Sequence, residues 1–186
     1  MWPWGHLAVG YLLYSPAVRA KTGRAPEGVA AIALALGTQF PDLFDKPLAW
    51  YLDVLPHGRS LMHSVFALVV VSLVVIRLGR RYESPAGAAF AVGHASHLAG
   101  DALRPLLAGD WANLTFLAWP LLPVPLATIE DTSLVALLTR LTLSSAAFGE
   151  ILLGLSVVLL WVLDGRPGLQ TIGRLVRRES QEKRRH

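Results

Sequence analysis

Long apolar runs separated by short polar breaks dominate this chain. Residues 61–78 are long enough to cross about 30 Å of hydrocarbon as a helix. Residues 85–107 are rich in Ala and Gly, which allow helices to approach closely, and residues 148–163 form another long run. The shorter runs 4–18 and 28–40 suit tilted or partly embedded helices. The pattern predicts an all-α, polytopic membrane helical bundle with short, partly broken helices.

The rest of the chain is less regular. Residues 111–145 are apolar but contain Pro120, Pro123 and Pro125, so we expect a broken or re-entrant segment there, followed by a helix at 132–147. Residues 166–186 space apolar side chains between arginines, which suits either an amphipathic helix on the membrane or a disordered basic end. We therefore predict one membrane-embedded domain over residues 1–165 and a basic tail over 166–186.

Composition supports a membrane protein and excludes several other classes. Hydrophobic residues make up 53% of the chain and charged residues 16%, with a mean hydropathy of +0.47. This composition excludes a disordered or collagen-like chain. Soluble domains are about one-quarter charged, so it also argues strongly against an ordinary soluble globule. The chain has no cysteine, which rules out disulfides and thiolate metal sites.

The net charge of +4 is concentrated in the tail. Residues 166–186 hold seven basic and two acidic residues, a net charge of +5, and the other 165 residues carry −1. A basic tail on a nearly neutral body argues against nucleic-acid binding and favours an anionic membrane surface. The expected partners are membrane lipid and a lipid or lipid-linked substrate.

Basic clusters also predict the orientation of the helices. They lie at residues 19–24, at 77–81 and in the tail, and positive charge marks the cytoplasmic side of an inner membrane. The first four apolar runs in chain order are 4–18, 28–40, 61–78 and 85–107. Their opposite, non-cytoplasmic ends hold every histidine except His186, together with three aspartates. These residues are His6, Asp42, Asp45, His57, His63, His94, His97 and Asp101.

The spacing of His94, His97 and Asp101 places all three on one helix face. Ionisable groups in an apolar helix usually face a cavity or a partner. Imidazole and carboxylate groups from several runs predict a divalent-metal site, for zinc or another transition metal rather than calcium. The alternatives are a water-filled polar cavity and hydrogen bonds between helices.

Four sequence blocks resemble a known family. They read WGHLAVG at 4–10, FPDLFDKP at 40–47, PHGRSLMHS at 56–64 and GHASHLAGDAL at 93–103. In order and spacing they are similar to the inner-membrane metal-dependent hydrolases of the YdjM-like, LexA-regulated group. The resemblance implies a metal site formed by His6, Asp42, His57, His63, His97 and Asp101.

The chain departs from the family pattern at several positions. Phe44 stands where the family has a second Asp, Asp45 comes one position later, Gly58 and Arg59 are in reversed order, and Met62 replaces Thr. The predicted metal ligands survive these changes. His94 is not covered by the resemblance, and we expect it to support the ligands without binding the metal itself.

The leading functional hypothesis is metal-dependent hydrolysis of a phosphoester or related ester by an activated water. Asp42 or Asp45 is the candidate general base. Arg59 is a candidate for holding a phosphate or carboxylate oxygen, or else an interfacial anchor. The alternatives are a membrane protein that binds or transports metal without hydrolysis, and a scaffold whose polar groups only join helices.

Overall fold

A computed structural model describes residues 3–124, 145–169 and 171–173, and every regular element in these ranges is helical. The predictions for residues 125–144 and 174–186 lie outside the described residues. The elements are α1 (Pro3–Thr22), α2 (Gly28–Trp50), α3 (Val65–Arg81), α4 (Ala86–Ala108), a 3₁₀ helix (Ala112–Ala118) and α5 (Ser145–Leu163).

Helix α4 lies at the centre of the packing. It contacts α1, α2 and α3, and α5 packs on α1. The α2–α4 contact is very close because glycines face each other's backbone: a Cβ at Gly37 would collide with the Phe90 carbonyl, and one at Gly93 would collide with the Leu34 carbonyl. Such close backbone approach is the use of small residues in helix packing. It brings the polar ends of α2 and α4 together.

Helix α2 is longer than the sequence predicts. The apolar run 28–40 becomes a helix that continues through Pro41 and Pro47 to Trp50. Each proline removes one backbone donor, but the rest of the helix continues. Asp42 and Asp45 therefore lie within α2. The hydropathy pattern had placed both of them after the end of this helix.

Helix α3 begins later than the apolar run 61–78. Ser64 is its N-cap, with a side chain that accepts a hydrogen bond from the Ala67 amide. Residues 61–64 consequently belong to the preceding loop, which places His63 outside the helix. The other helices, predicted at 4–18, 85–107 and 148–163, are confirmed, and their observed ends lie within a few residues of the predicted ones.

The all-helical class is confirmed, and the membrane crossings stay predictions. Across the described ranges, no helix combines the length and the apolar character needed to cross a membrane.

Asp164 joins the end of α5 to α1. Its carboxylate accepts hydrogen bonds from Tyr11 Oη at 2.6 Å and Ser15 Oγ at 2.5 Å, and it forms an ion pair with Arg19. Burial alone would raise the pKa of Asp164, but the hydrogen bonds from Ser15, Tyr11 and Arg19 outweigh it and hold the pKa below its usual value. The carboxylate is thus a charged hydrogen-bond centre between two helices.

We expect Gly93→Ala to lower the free energy of unfolding by about 1–3 kcal/mol, because the new methyl group must push α2 and α4 apart. Gly154→Ala in α5 is the matched control, since an added Cβ there has no neighbour within 4 Å among the described residues, apart from its own helix backbone. Thermal unfolding in detergent compares the two variants. Equal stabilities would contradict the close α2–α4 contact.

Asp164→Asn should cost roughly 1.5–3 kcal/mol of stability near neutral pH, because it removes the charge from the hydrogen bonds with three partners, Tyr11, Ser15 and Arg19. A carboxylate with a depressed pKa stabilises the fold above its ordinary pKa and loses this effect as pH falls through the folded value. The difference from the wild-type protein should therefore begin to shrink as the pH falls below the ordinary Asp pKa of about 3.9, and it should shrink further as the carboxyl group protonates in the folded protein. Unfolding curves across this pH range test it, and a difference independent of pH would contradict it.

Candidate metal centre

Five of the predicted ligands meet at one end of the bundle. His6 comes from α1, Asp42 from α2, His63 from the loop before α3, and His97 and Asp101 from α4. Their donor atoms form two overlapping groups within which all atoms lie within 4.8 Å of one another. One group is His6, Asp42 and His97, and the other is His63, His97 and Asp101.

The two histidines from the loop and α4 lie closest. His63 Nε2 is 3.2 Å from His97 Nε2, and Asp101 Oδ2 lies 3.7 and 3.8 Å from these two nitrogens. Asp42 Oδ1 is 3.4 Å from His63 Nε2 and 3.8 Å from His97 Nε2. The His6 ring stacks on the His97 ring at 3.8 Å, and its Nε2 is 3.4 Å from Asp101 Oδ1.

Hydrogen bonds on the far side of each ring define which nitrogen carries the proton. His97 Nδ1 is 2.7 Å from the Thr38 carbonyl, which can only accept, so Nδ1 is protonated. His63 Nδ1 is 2.8 Å from Asp45 Oδ2, which likewise accepts. In the neutral rings both Nε2 atoms then carry lone pairs, and these lone pairs face each other.

Asp45 is the anchor of the loop that carries His63. Its carboxylate accepts backbone N–H hydrogen bonds from Ser60, Met62 and His63 at 2.9–3.2 Å, in addition to the His63 ring. The side chain is fully buried. These contacts are those of a residue that orients a ligand, since its oxygens are already engaged.

His94 holds the same loop from the other side. Its Nε2 donates to the Met62 carbonyl at 2.8 Å, and the ring is fully buried. His97 and Asp101 face the centre as the helical spacing predicts, whereas His94 stands beside it. His94 thus contacts the loop that carries His63, and its predicted supporting role stays a prediction.

His57 lies outside both donor groups. Its Nδ1 accepts from the Arg59 amide at 3.3 Å and is 3.0 Å from Ser60 Oγ. Burial lowers the pKa of His57, which favours the neutral ring at neutral pH. Arg59 is close to the centre: its Nε is 3.0 Å from Asp101 Oδ2, and its guanidinium lies over the Phe116 ring.

Three neighbours of the centre were not predicted from the sequence. Lys46 Nζ is 2.7 Å from Asp42 Oδ2, and the i, i+4 spacing in a longer α2 was the available signal. The Thr38 carbonyl and the Phe116 ring, 6.3 Å from the His63 ring, also border the site. No pattern in the sequence marks these two, because they depend on packing between distant elements.

The donor set suits a transition-metal ion. Imidazole nitrogens and carboxylates are the usual zinc ligands when cysteine is absent, and zinc-bound histidines commonly donate their other nitrogen to a carboxylate or a carbonyl. His63 and His97 have such partners, whereas His6 Nδ1 has no hydrogen-bond partner among the described residues. The best-oriented group is therefore His63, His97 and Asp101.

Comparisons with known proteins place the chain in a family. The model of the family described as YdjM inner membrane protein matches residues 1–166. Neither a search of curated proteins nor one of solved structures found a match. Because the matched region covers most of the chain, and in agreement with the resemblance seen in its His and Asp blocks, the protein belongs to the YdjM inner membrane protein family.

Proposed function

We propose that this protein is a membrane-bound, metal-dependent hydrolase of phosphoesters. The observation that carries the proposal is the close approach of the buried His63 and His97 Nε2 atoms, 3.2 Å apart, beside the Asp101 carboxylate. Two unprotonated Nε2 atoms at this distance are unfavourable unless a proton or a metal cation lies between or beside them, and the adjacent Asp42 and Asp101 carboxylates favour a positive charge there. A divalent ion satisfies both nitrogens and the carboxylate together.

One ion fits the donor set better than two. The two donor groups share His97, and its Nε2 can bind only one ion. We assign His63, His97 and Asp101 as the ligands, which leaves an open position of the kind that catalytic zinc sites keep. His6 then supports His97 by stacking and lies beside Asp101. With two imidazoles among three ligands, zinc is favoured over calcium and magnesium.

A bound zinc ion would supply a water of lowered pKa and polarise a phosphoryl oxygen. Asp42 is our candidate general base for that water. Its side chain is the most exposed of the three carboxylates at the centre, at 12% against 3% for Asp101 and 0% for Asp45. Since Asp45 is engaged by the His63 loop, the general-base hypothesis is kept for Asp42 alone.

Arg59 supports a phosphate-bearing substrate. Its side chain is 41% exposed, and its Nε pairs with the Asp101 carboxylate. A guanidinium presents several donors in a plane and matches phosphoryl oxygens well. Arg59 can therefore hold the oxygens while Asp42 receives the proton of the attacking water.

The apolar surface supports membrane embedding and a lipid or lipid-linked substrate. In α3, Val69, Val70, Leu73 and Val74 are each more than half exposed, and α5 presents a similar row. Large exposed apolar patches mark contact with lipid or with another protein. We propose that these helices lie in the inner membrane, with the centre toward the non-cytoplasmic side and the basic tail in the cytoplasm.

Elemental analysis and turnover measured on the same preparations test this proposal. We expect about one zinc per purified chain and hydrolysis of p-nitrophenyl phosphate. His63→Ala should lose both, because it removes one of three ligands. Asp42→Asn should retain zinc and lose about 10²–10⁴-fold in kcat, as expected for a general base.

His57→Ala is the matched histidine control, since His57 lies outside both donor groups. It should keep its zinc. Zinc retained by His63→Ala would contradict the ligand assignment. Zinc bound without turnover, together with zinc flux into vesicles, would favour the transport alternative. If His63→Ala unfolds and the wild-type protein holds no metal, the scaffold alternative is correct.

A further inference from the structure

Lys46 lies at the candidate metal centre, and the proposed hydrolysis gives it no role. Its Nζ is 2.7 Å from Asp42 Oδ2, while Asp42 Oδ1 faces His63 and His97. The lysine side chain is 28% exposed and the aspartate side chain 12%. Lys46 therefore lies on the outer side of the carboxylate, where a substrate would approach.

Arg59 stands in the same relation to Asp101. It pairs with Asp101 Oδ2 at 3.0 Å, with a side chain 41% exposed against 3% for the aspartate. The two carboxylates nearest the His63 and His97 Nε2 atoms, Asp42 and Asp101, are thus each paired with a more exposed cation. Because both carboxylates lie within 3.8 Å of His97 Nε2, the two cations border one small centre.

Aromatic rings and the loop backbone restrict both cations. Lys46 Nζ lies 5.6 Å from the Trp50 ring centroid, and the Arg59 guanidinium carbon lies 6.0 Å from that of Phe116. Gly58 packs against the Lys46 stem: a Cβ there would lie 3.2 Å from Lys46 Cγ. Restricting long side chains before binding reduces the entropy lost when they hold a ligand.

We propose that Lys46 and Arg59 form a two-cation clamp that holds the phosphoryl oxygens of a phosphomonoester. The inference rests on the proposed function and names its substrate class. In the reaction, the water oxygen forms a bond to phosphorus and the ester P–O bond breaks. The products are the alcohol and inorganic phosphate, and the proton released from the water balances the one that the leaving alkoxide gains.

Charge and the number of contacts select a monoester. Asp42, Asp45 and Asp101 contribute three negative charges, and Lys46, Arg59 and a divalent ion contribute four positive ones. The centre is therefore positive overall and favours an anion. A phosphomonoester carries about −1.5 to −2 charge and three terminal oxygens, one for each cation. A phosphodiester has only two non-bridging oxygens and one negative charge, and a carboxylic ester has none.

Binding of inorganic phosphate to the zinc-loaded protein, measured by calorimetry, tests the clamp apart from turnover. Lys46→Gln should weaken phosphate binding about tenfold or more, because it removes a charge-assisted hydrogen bond. Lys46→Arg should restore most of the affinity, and zinc content should stay unchanged in both. Lys21→Gln is the control, since Lys21 is exposed at the end of α1 and should leave phosphate affinity unchanged.

Turnover of matched esters tests the monoester assignment and the source of the phosphate. In Lys46→Gln, kcat/KM should fall more for p-nitrophenyl phosphate than for bis(p-nitrophenyl) phosphate. The kcat/KM for dioctanoyl phosphatidic acid should fall by the same factor in Lys46→Gln. In the wild-type protein, the ratio of this kcat/KM to that for p-nitrophenyl phosphate shows whether a lipid or a free monoester is preferred.

Unchanged phosphate affinity in zinc-loaded Lys46→Gln would overturn the clamp while leaving the metal centre intact. An equal fall for the monoester and the diester would overturn the monoester assignment. A wild-type protein that holds no zinc would instead remove the proposed function, so the two failures are distinguishable.

Discussion

The candidate centre depends on the hydrogen bonds that the buried Asp45 carboxylate accepts. Burying an ionised carboxylate is costly unless hydrogen bonds compensate for the lost water. Three backbone amides of the loop and the His63 ring provide that compensation. The same contacts hold the loop in one conformation and present His63 Nε2 to His97. One desolvated charge thus determines both the loop geometry and the position of the candidate metal donor.

The close contact between α2 and α4 is the second constraint. Gly37 and Gly93 let the two backbones meet, so that the Thr38 carbonyl of α2 reaches His97 Nδ1 on α4. That hydrogen bond sets the ring orientation of His97 in the way that Asp45 sets that of His63. The candidate metal donors are therefore oriented from behind by groups that belong to the packing of the fold.

Much of this arrangement is readable from the sequence. Apolar runs predict the helices. The positions of the basic clusters predict that the histidines and aspartates lie together at the opposite end of these helices. Helical spacing places His97 and Asp101 on one face. It cannot separate His94 from them, because that difference arises from the Met62 carbonyl of a distant loop. Helical spacing also does not show that α2 continues through Pro41. Lys46 and the actual surroundings of Asp42 and Asp45 were therefore not predicted.

X-ray absorption at the zinc edge of the purified protein tests the central claim most directly. The account predicts nitrogen or oxygen neighbours at about 2.0–2.1 Å, with the outer-shell scattering of two imidazole rings. His97→Ala should remove one ring from that signal or abolish zinc binding. A zinc environment made only of oxygen atoms, or one that His97→Ala leaves unchanged, would contradict the account.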